Sequence, residues 1–316
     1  MQLTEQIYQA LFQAVLTGEF QPGQRFLTEQ EAMERFQASR ITIRRAFARL
    51  EESHIISRKP KVGGIVNSTF AAAAGALQTV GMLVPLDDPF ARSFLHTFCR
   101  EAARRDVITA LEPAATGAEQ NRAVMRLVLH GVRDLVVWGI DRELDFNLFL
   151  RLRILGVNLV FFDRIHPGKI ADYVGLDNEA AVRLLIRRAA AEKIRHIFFA
   201  DPCALDIDTS RERREFCRKA CAAHQIDFTE GVPEPLPPGS AIFAVNDPAA
   251  LRYLHCGVPL FSIDGTPEAQ AAGIVSCRQP MDKLAKACFQ ALRNQRKQGE
   301  TWVAHDHRIA PEEPKG

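Results

Sequence analysis

From residue 79 onward the chain alternates short apolar runs with amphipathic stretches, a pattern that few folds accept. Val80-Gly81-Met82-Leu83-Val84 precedes a predicted helix near 90–105, and Leu135-Val136-Val137-Trp138 follows one near 118–130. Asn158-Leu159-Val160-Phe161-Phe162 follows a third near 144–155. Such alternation predicts a parallel sheet covered by helices on both faces. A second series follows, with Ile197-Phe198-Phe199-Ala200, Ala241-Ile242-Phe243-Ala244-Val245 and Leu260-Phe261-Ser262-Ile263. Two α/β halves in one chain predict a clamshell with a ligand cleft between its lobes.

Polar residues gather where these strands end: Asp87-Asp88-Pro89-Phe90, Asp163-Arg164, Asp177-Asn178, Asn246-Asp247 and Asp264. Ligands of open α/β sheets bind beyond the carboxyl ends of the strands, so these residues are expected to converge. Arginine, carboxylates and an aromatic wall suit a small polyhydroxylated molecule, because charged groups direct hydrogen bonds to hydroxyls while Phe90 covers a C–H face. Turn formation or helix capping is the competing role for each aspartate, above all Asp177, whose Asp177-Asn178-Glu179-Ala180 run opens a helix.

The N-terminal part follows different rules. Ile43, Ala46, Phe47 and Leu50 fall at helical spacing and make one apolar stripe, while Arg40, Arg44, Arg45 and Arg49 occupy the other face. Ser39 stands where an N-cap belongs, and Gln37-Ala38 leaves only a short turn after a helix that opens on the capping box Thr28-Glu29-Gln30-Glu31. Two β-branched runs around a basic Pro/Gly tip, Ile55-Ile56 and Ile65-Val66, then read as a hairpin. Eight Lys/Arg against two Glu between Arg35 and Lys61 give a local balance of +6 on a chain of net charge +2. A helix-turn-helix with a wing and concentrated basic charge makes double-stranded DNA the expected partner.

Length and composition fit two domains: 316 residues with 47% hydrophobic content can fill sizeable cores, and no apolar run approaches the roughly 18–20 residues of a membrane span. Met1-Gln2-Leu3-Thr4-Glu5 lacks the features of a signal peptide, so a cytoplasmic location is expected. The seven cysteines show no CxxC pair, and Cys217 and Cys221, one helical turn apart, are expected to pack in a core rather than hold metal. No cofactor is called for.

Residues 1–68 resemble the winged-helix domain of the GntR family, including the entry helix Leu3-Thr4-Glu5-Gln6-Ile7-Tyr8 and the link Gly18 to Phe26. The resemblance places DNA contacts on Ser39, Arg40 and Arg44, with a wing at Lys61 to Gly64. Together with the basic face, the expected DNA-binding set is Ser39, Arg40, Thr42, Arg44, Arg45, Lys61 and Gly63. The wing departs from the family's Gly-x-Gly-Thr pattern, since Lys61 replaces the first Gly and Gly64 the Thr. Residues 69–78, small and uncharged, read as a linker.

Residues 79–310 resemble the effector domain of the LacI/GalR family, which is related to periplasmic sugar-binding proteins; a tail of 311–316 follows. The resemblance rests on the order of Val80 to Arg105, Phe162-Asp163-Arg164, Val174 to Asn178, Arg211-Glu212-Arg213, Ala244-Val245-Asn246-Asp247, Ser262-Ile263-Asp264-Gly265 and Arg278-Gln279-Pro280. It implies ligand contacts at Phe90, Arg164, Arg213, Asn246, Asp247 and Asp264. Ala91 stands where that family has a second aromatic, and the segments before the Ala241 and Leu260 strands look shortened. A GntR-type reader joined to a LacI-type sensor is similar in architecture to arabinose-responsive repressors.

The expected protein is a homodimeric transcription regulator, a repressor, controlled by a small effector such as a sugar. Two other readings stay open: a regulator whose trimmed second domain only dimerises, and an α/β enzyme. For the enzyme, the sequence offers no GxGxxG or P-loop after the first strand, no GxSxG and no HExxH, while His305-Asp306-His307 reads as a solvated tail or a final strand. Arg44→Ala is expected to weaken operator binding by about 1–3 kcal/mol if Arg44 reads a base edge. A binding titration on operator and on random duplex checks this, because equal losses on both would make Arg44 a phosphate contact instead.

Overall fold

The computed structural model describes residues 3–59, 63–68, 76–85, 89–140, 143–202 and 207–314. Its first unit is a winged helix built from α1 (Leu3–Thr17), α2 (Glu29–Phe36) and α3 (Arg40–Glu52), followed by the antiparallel pair β1 (Ile56–Lys59) and β2 (Gly63–Val66). Phe12, Phe26, Ile43, Phe47 and Leu50 are buried together, so the stripe read from α3 is its packing face. The link before α2 joins the wing: Phe26 N–H donates to the Gly64 carbonyl at 2.7 Å, and Arg25 bridges Ile65.

The second unit has two lobes. Its first lobe runs β3 (Thr79–Val84), α4 (Pro89–Ala103), β4 (Ile108–Pro113), α5 (Gly117–Leu129), β5 (Asp134–Val137), α6 (Phe146–Ile154), β6 (Asn158–Phe162) and β7 (Asp172–Leu176). The second lobe runs α7 (Asn178–Ala191), β8 (His196–Ala200), α8 (Asp208–Ala223), β9 (Asp227–Glu230), β10 (Ser240–Ala244), α9 (Asp247–Leu251), β11 (Leu260–Asp264), α10 (Pro267–Ala271) and β12 (Val275–Arg278). The chain then returns to the first lobe with α11 (Met281–Gln298) and β13 (Asp306–Ile309). The strand orders are β13-β7-β6-β5-β3-β4 and β12-β11-β10-β8-β9, and the pairings within both sheets are parallel.

The chain passes between lobes three times: at Leu176–Asn178, at Arg278–Met281 and beyond Ile309, where Glu312 pairs with Arg278. Part of the expected tail is therefore tied into the hinge. His305-Asp306-His307 contributes to the edge strand β13, where Asp306 and His307 pair with Tyr173 and Val174 of β7. The second lobe is trimmed as its sequence implied. Between β9 and β10 there is no helix, and Val232 and Leu236 of the intervening segment pack on the lobe core instead. Cys217 and Cys221, on the buried face of α8, pack in that core.

A buried carboxylate at the base of the first lobe is matched by donors. Asp134, almost fully enclosed, accepts from Arg296 Nε at 2.9 Å and from Asn158 Nδ2 at 2.9 Å, so its desolvation is offset by a charge-assisted pair. One contact was not foreseen: α1 rests on α5 and α6. Arg151 Nε donates to the Leu16 carbonyl at 2.7 Å, and the Arg133 guanidinium lies 5.8 Å from the Phe12 ring. The winged helix is thus docked on the first lobe and not merely tethered to it.

Candidate ligand cleft and nucleic-acid interface

The carboxyl ends of both sheets face one gap, and a cavity of about 260 Å³ occupies it. Phe90 enters from α4, and Asp163 and Arg164 follow β6. From the other lobe come Ser210 and Arg213 of α8, Asn246 after β10 and Asp264 ending β11, with Gln279 on the second crossover. Five of the six residues implied as ligand contacts (Phe90, Arg164, Arg213, Asn246, Asp264) therefore line one space.

Asp247 does not, and here the expectation is corrected. Its carboxylate is fully buried and accepts from Ser262 Oγ at 2.5 Å, Ser276 Oγ at 2.5 Å, Thr266 N at 2.7 Å and Thr266 Oγ1 at 2.8 Å. All its strong acceptor directions are spent on tying β11, β12 and the start of α10 together. Asn246 divides its duty, since it lines the cavity while its Oδ1 caps α9 by accepting from Ala249 N at 2.9 Å. Asp177 caps α7 in the same way, accepting from Ala180 N at 2.9 Å.

Arg213 is the organising cation. Only 5% exposed, it donates from Nε to Asn178 Oδ1 at 2.9 Å and from Nη1 to the Val245 carbonyl at 2.8 Å, and Nη1 lies 4.0 Å from Asp264 Oδ1. No other bond to it is made among the described residues, which leaves Nη2 donors for a guest. Burial pushes the Asp264 carboxyl well above the usual carboxylate range, with Arg213 opposing and Asp247 reinforcing the rise. Asp264 also accepts from Gln279 Nε2 at 2.9 Å, and Gln279 Oε1 is buried with no hydrogen-bond partner. The site therefore offers a cation and a carboxyl that holds its proton unusually high, a pair that answers both donors and acceptors on one small guest.

Backbone geometry aims these groups. Asp163 and Asp264 take φ of +61° and +144°, conformations that are costly outside glycine and are kept where surrounding contacts over-determine them. Gly265 follows at φ +68°, and a Cβ there would lie 2.6 Å from the Arg278 Cα, so only glycine permits the turn. Behind the cavity wall the buried Trp138 meets Phe90 edge to face at 5.5 Å. The Arg164 guanidinium sits 5.9 Å from the same indole.

In the winged helix, Ser39 caps α3 by accepting from Thr42 N at 3.3 Å, and the Ser39 and Thr42 hydroxyls are 2.9 Å apart. Arg40, Arg44 and Arg45 are exposed. Glu29 of α2 meets two of them: Arg44 Nε lies 3.0 Å from both carboxylate oxygens and Arg40 Nε 3.6 Å from one. Gly63 opens β2, and Lys61 lies outside the described residues, as do Asp87 and Asp88. The sequence reasoning missed Asp201, Ser210 and Gln279; the first and last sit directly after strands, the one signal that could have found them.

These features define a winged-helix DNA-binding domain joined to a two-lobed, periplasmic-binding-protein-like domain. Residues 3–66 match the family described as "Bacterial regulatory proteins, gntR family", and this segment is a GntR-family DNA-binding domain. The remainder has the fold of LacI-type regulators and periplasmic binding proteins. A LacI transcriptional regulator from a Rhodococcus species superposes with a TM-score of 0.65 at 18% identity, covering 75% of this chain and 97% of that one. The Lac repressor dimer bound to operator and the anti-inducer ONPF gives 0.62 at 15% identity, covering 77% and 94%. The Caulobacter myo-inositol binding protein bound to myo-inositol gives 0.62 at 17%, covering 77% and 93%. Compared by sequence with curated proteins, the chain has no match. Among the described residues no helix is long and apolar enough to cross a membrane.

A carboxyl whose pKa is raised by folding is tolerated while protonated and costs stability as pH rises through its folded pKa. The Asp264→Asn variant, neutral throughout, should therefore gain in melting temperature relative to the unsubstituted protein as pH is taken from about 5 to about 9. A difference that stays flat across paired melts would contradict the burial argument.

Proposed function

We propose that the protein is a transcription regulator that represses by binding operator DNA as a homodimer and is controlled by a sugar or sugar derivative in the inter-lobe cavity. The observation that carries the reading is that inter-lobe cavity of about 260 Å³, with its Phe90 wall and convergent Arg213, Asp264 and Gln279. The myo-inositol complex of one structural neighbour and the operator complex of another support the two halves of the reading. Dimerisation is supported by β4, an edge strand whose Ile108 and Leu111 are 69% and 41% exposed.

The mechanism is linkage. A ligand bridging the lobes stabilises one clamshell conformation, and only its preference for that conformation can change DNA affinity. Because α1 rests on α5 and α6, a shift of the first lobe carries the winged helix with it.

A thermal-shift screen against sugars, sugar acids and sugar phosphates tests this directly, since a ligand held only by the folded state raises the melting temperature, by about 2.7 kcal/mol of stabilisation at one hundred times Kd. A concentration-dependent hit is expected, lost in Asp264→Ala while that variant binds duplex DNA as before. No hit across the panel, or one untouched by Asp264→Ala, would remove the sensor from the proposal and leave the dimerisation reading of this domain.

A further inference from the structure

A second cavity, of about 390 Å³, opens at the opposite end of the first lobe from the ligand cleft. It is lined by Ala76, Leu77, Arg105, Arg293, Arg296 and Lys297, four cations and no carboxylate. Two of the cations have partners behind them, Arg105 on Glu101 and Arg296 on Asp134. Arg293 and Lys297 make no ion pair among the described residues; they are exposed and lie one turn apart on α11. Like charges at that spacing repel, and two uncompensated cations beside two paired ones leave a positive patch whose repulsion a polyanion would relieve.

The chain's own layout says which polyanion. Leu77 is the end of the linker, so the segment carrying the winged helix leaves from the mouth of this cavity. Eight residue steps separate Ser68 from Ala76, a reach of at most about 29 Å at ~3.6 Å per residue. However the winged helix moves, the end of its wing stays within that radius. It is also docked at this same end of the lobe, through Arg133 and through the Leu16–Arg151 bond. We infer that the C-terminal ends of α4 and α11 form a second DNA contact, gripping backbone phosphates of the duplex that the winged helix holds, independently of base sequence. This rests on the DNA-binding reading and extends it: the effector lobe touches the DNA itself and not only the domain that reads it.

The test uses the full chain and a random-sequence duplex of about 40 base pairs, because each phosphate contact adds ~0.9 to the slope of log affinity against log salt. Arg293→Ala/Lys297→Ala removes two exposed side chains, and its melting temperature reports whether it folds. The inference predicts a slope lower by up to ~1.8 and weaker binding at low salt. The control pair Arg187→Ala/Lys219→Ala, on α7 and α8 of the other lobe, should leave the slope in place. An unchanged slope in the folded α11 variant, or an equal fall in the control, overturns the inference. Inorganic triphosphate separates the other source of this chemistry: if it stabilises the unsubstituted protein but not the α11 variant while the DNA slopes agree, the cavity holds a free anion and the DNA contact is wrong. Absence of any duplex binding by the unsubstituted protein would instead take down the DNA-binding reading and this inference with it.

Discussion

The cleft depends on a guanidinium taken out of water. Arg213 is buried where the first crossover, the end of β10 and the end of β11 meet, and each supplies one group to it: Asn178, the Val245 carbonyl and Asp264. An unpaired charge in such a place costs several kcal/mol, so these three segments are held at fixed distances by the need to compensate it. The compensation is incomplete, with Asp264 at 4.0 Å and biased toward its neutral form. That shortfall is what a guest with hydroxyls would make good under the proposed function, and Phe90 and Arg164 face the same cavity from the first lobe.

A second network holds the lobes on the hinge side. Arg308 of β13 donates to both carboxylate oxygens of Glu212 on α8, at 2.8 and 2.9 Å, while Asp208 at the start of α8 accepts from His166 N at 2.8 Å. The first lobe is in turn fastened to the winged helix through α1. Among the described residues a path of contacts thus runs from the inter-lobe cavity through the hinge and the first lobe to the docked winged helix.

Much of this was legible in the residues, and the exceptions have physical causes. The α3 stripe, the Ser39 cap and six of the buried strands between Val80 and Ile263 follow from local periodicity and capping chemistry, which a sequence displays. Strands β4, β9 and β12 were missed because they are sheet edges, whose half-exposed faces admit Glu112, Asp227, Glu230 and Arg278 and so blur the apolar signal, whereas β7 is interior and buried but its apolar run is broken by Asp172 and Gly175. Asp247 resembled its neighbours Asn246 and Asp264; what turns it inward is the convergence of Ser262, Thr266 and Ser276, visible only once β11 and β12 are paired. The docking of α1 was invisible for a related reason, since Phe12 and Leu16 read equally well as core of the winged helix alone.

The central claim is that one small molecule and one DNA duplex bind the same chain with coupled free energies. The most direct measurement is the affinity for operator DNA, by fluorescence anisotropy, with and without a saturating concentration of a ligand that stabilises the protein. The account predicts a change of about 5-fold to 150-fold, and the same factor in ligand affinity when DNA is added first. Equal DNA affinities with and without bound ligand would contradict it, because a ligand with no preference between the two states of the clamshell regulates nothing.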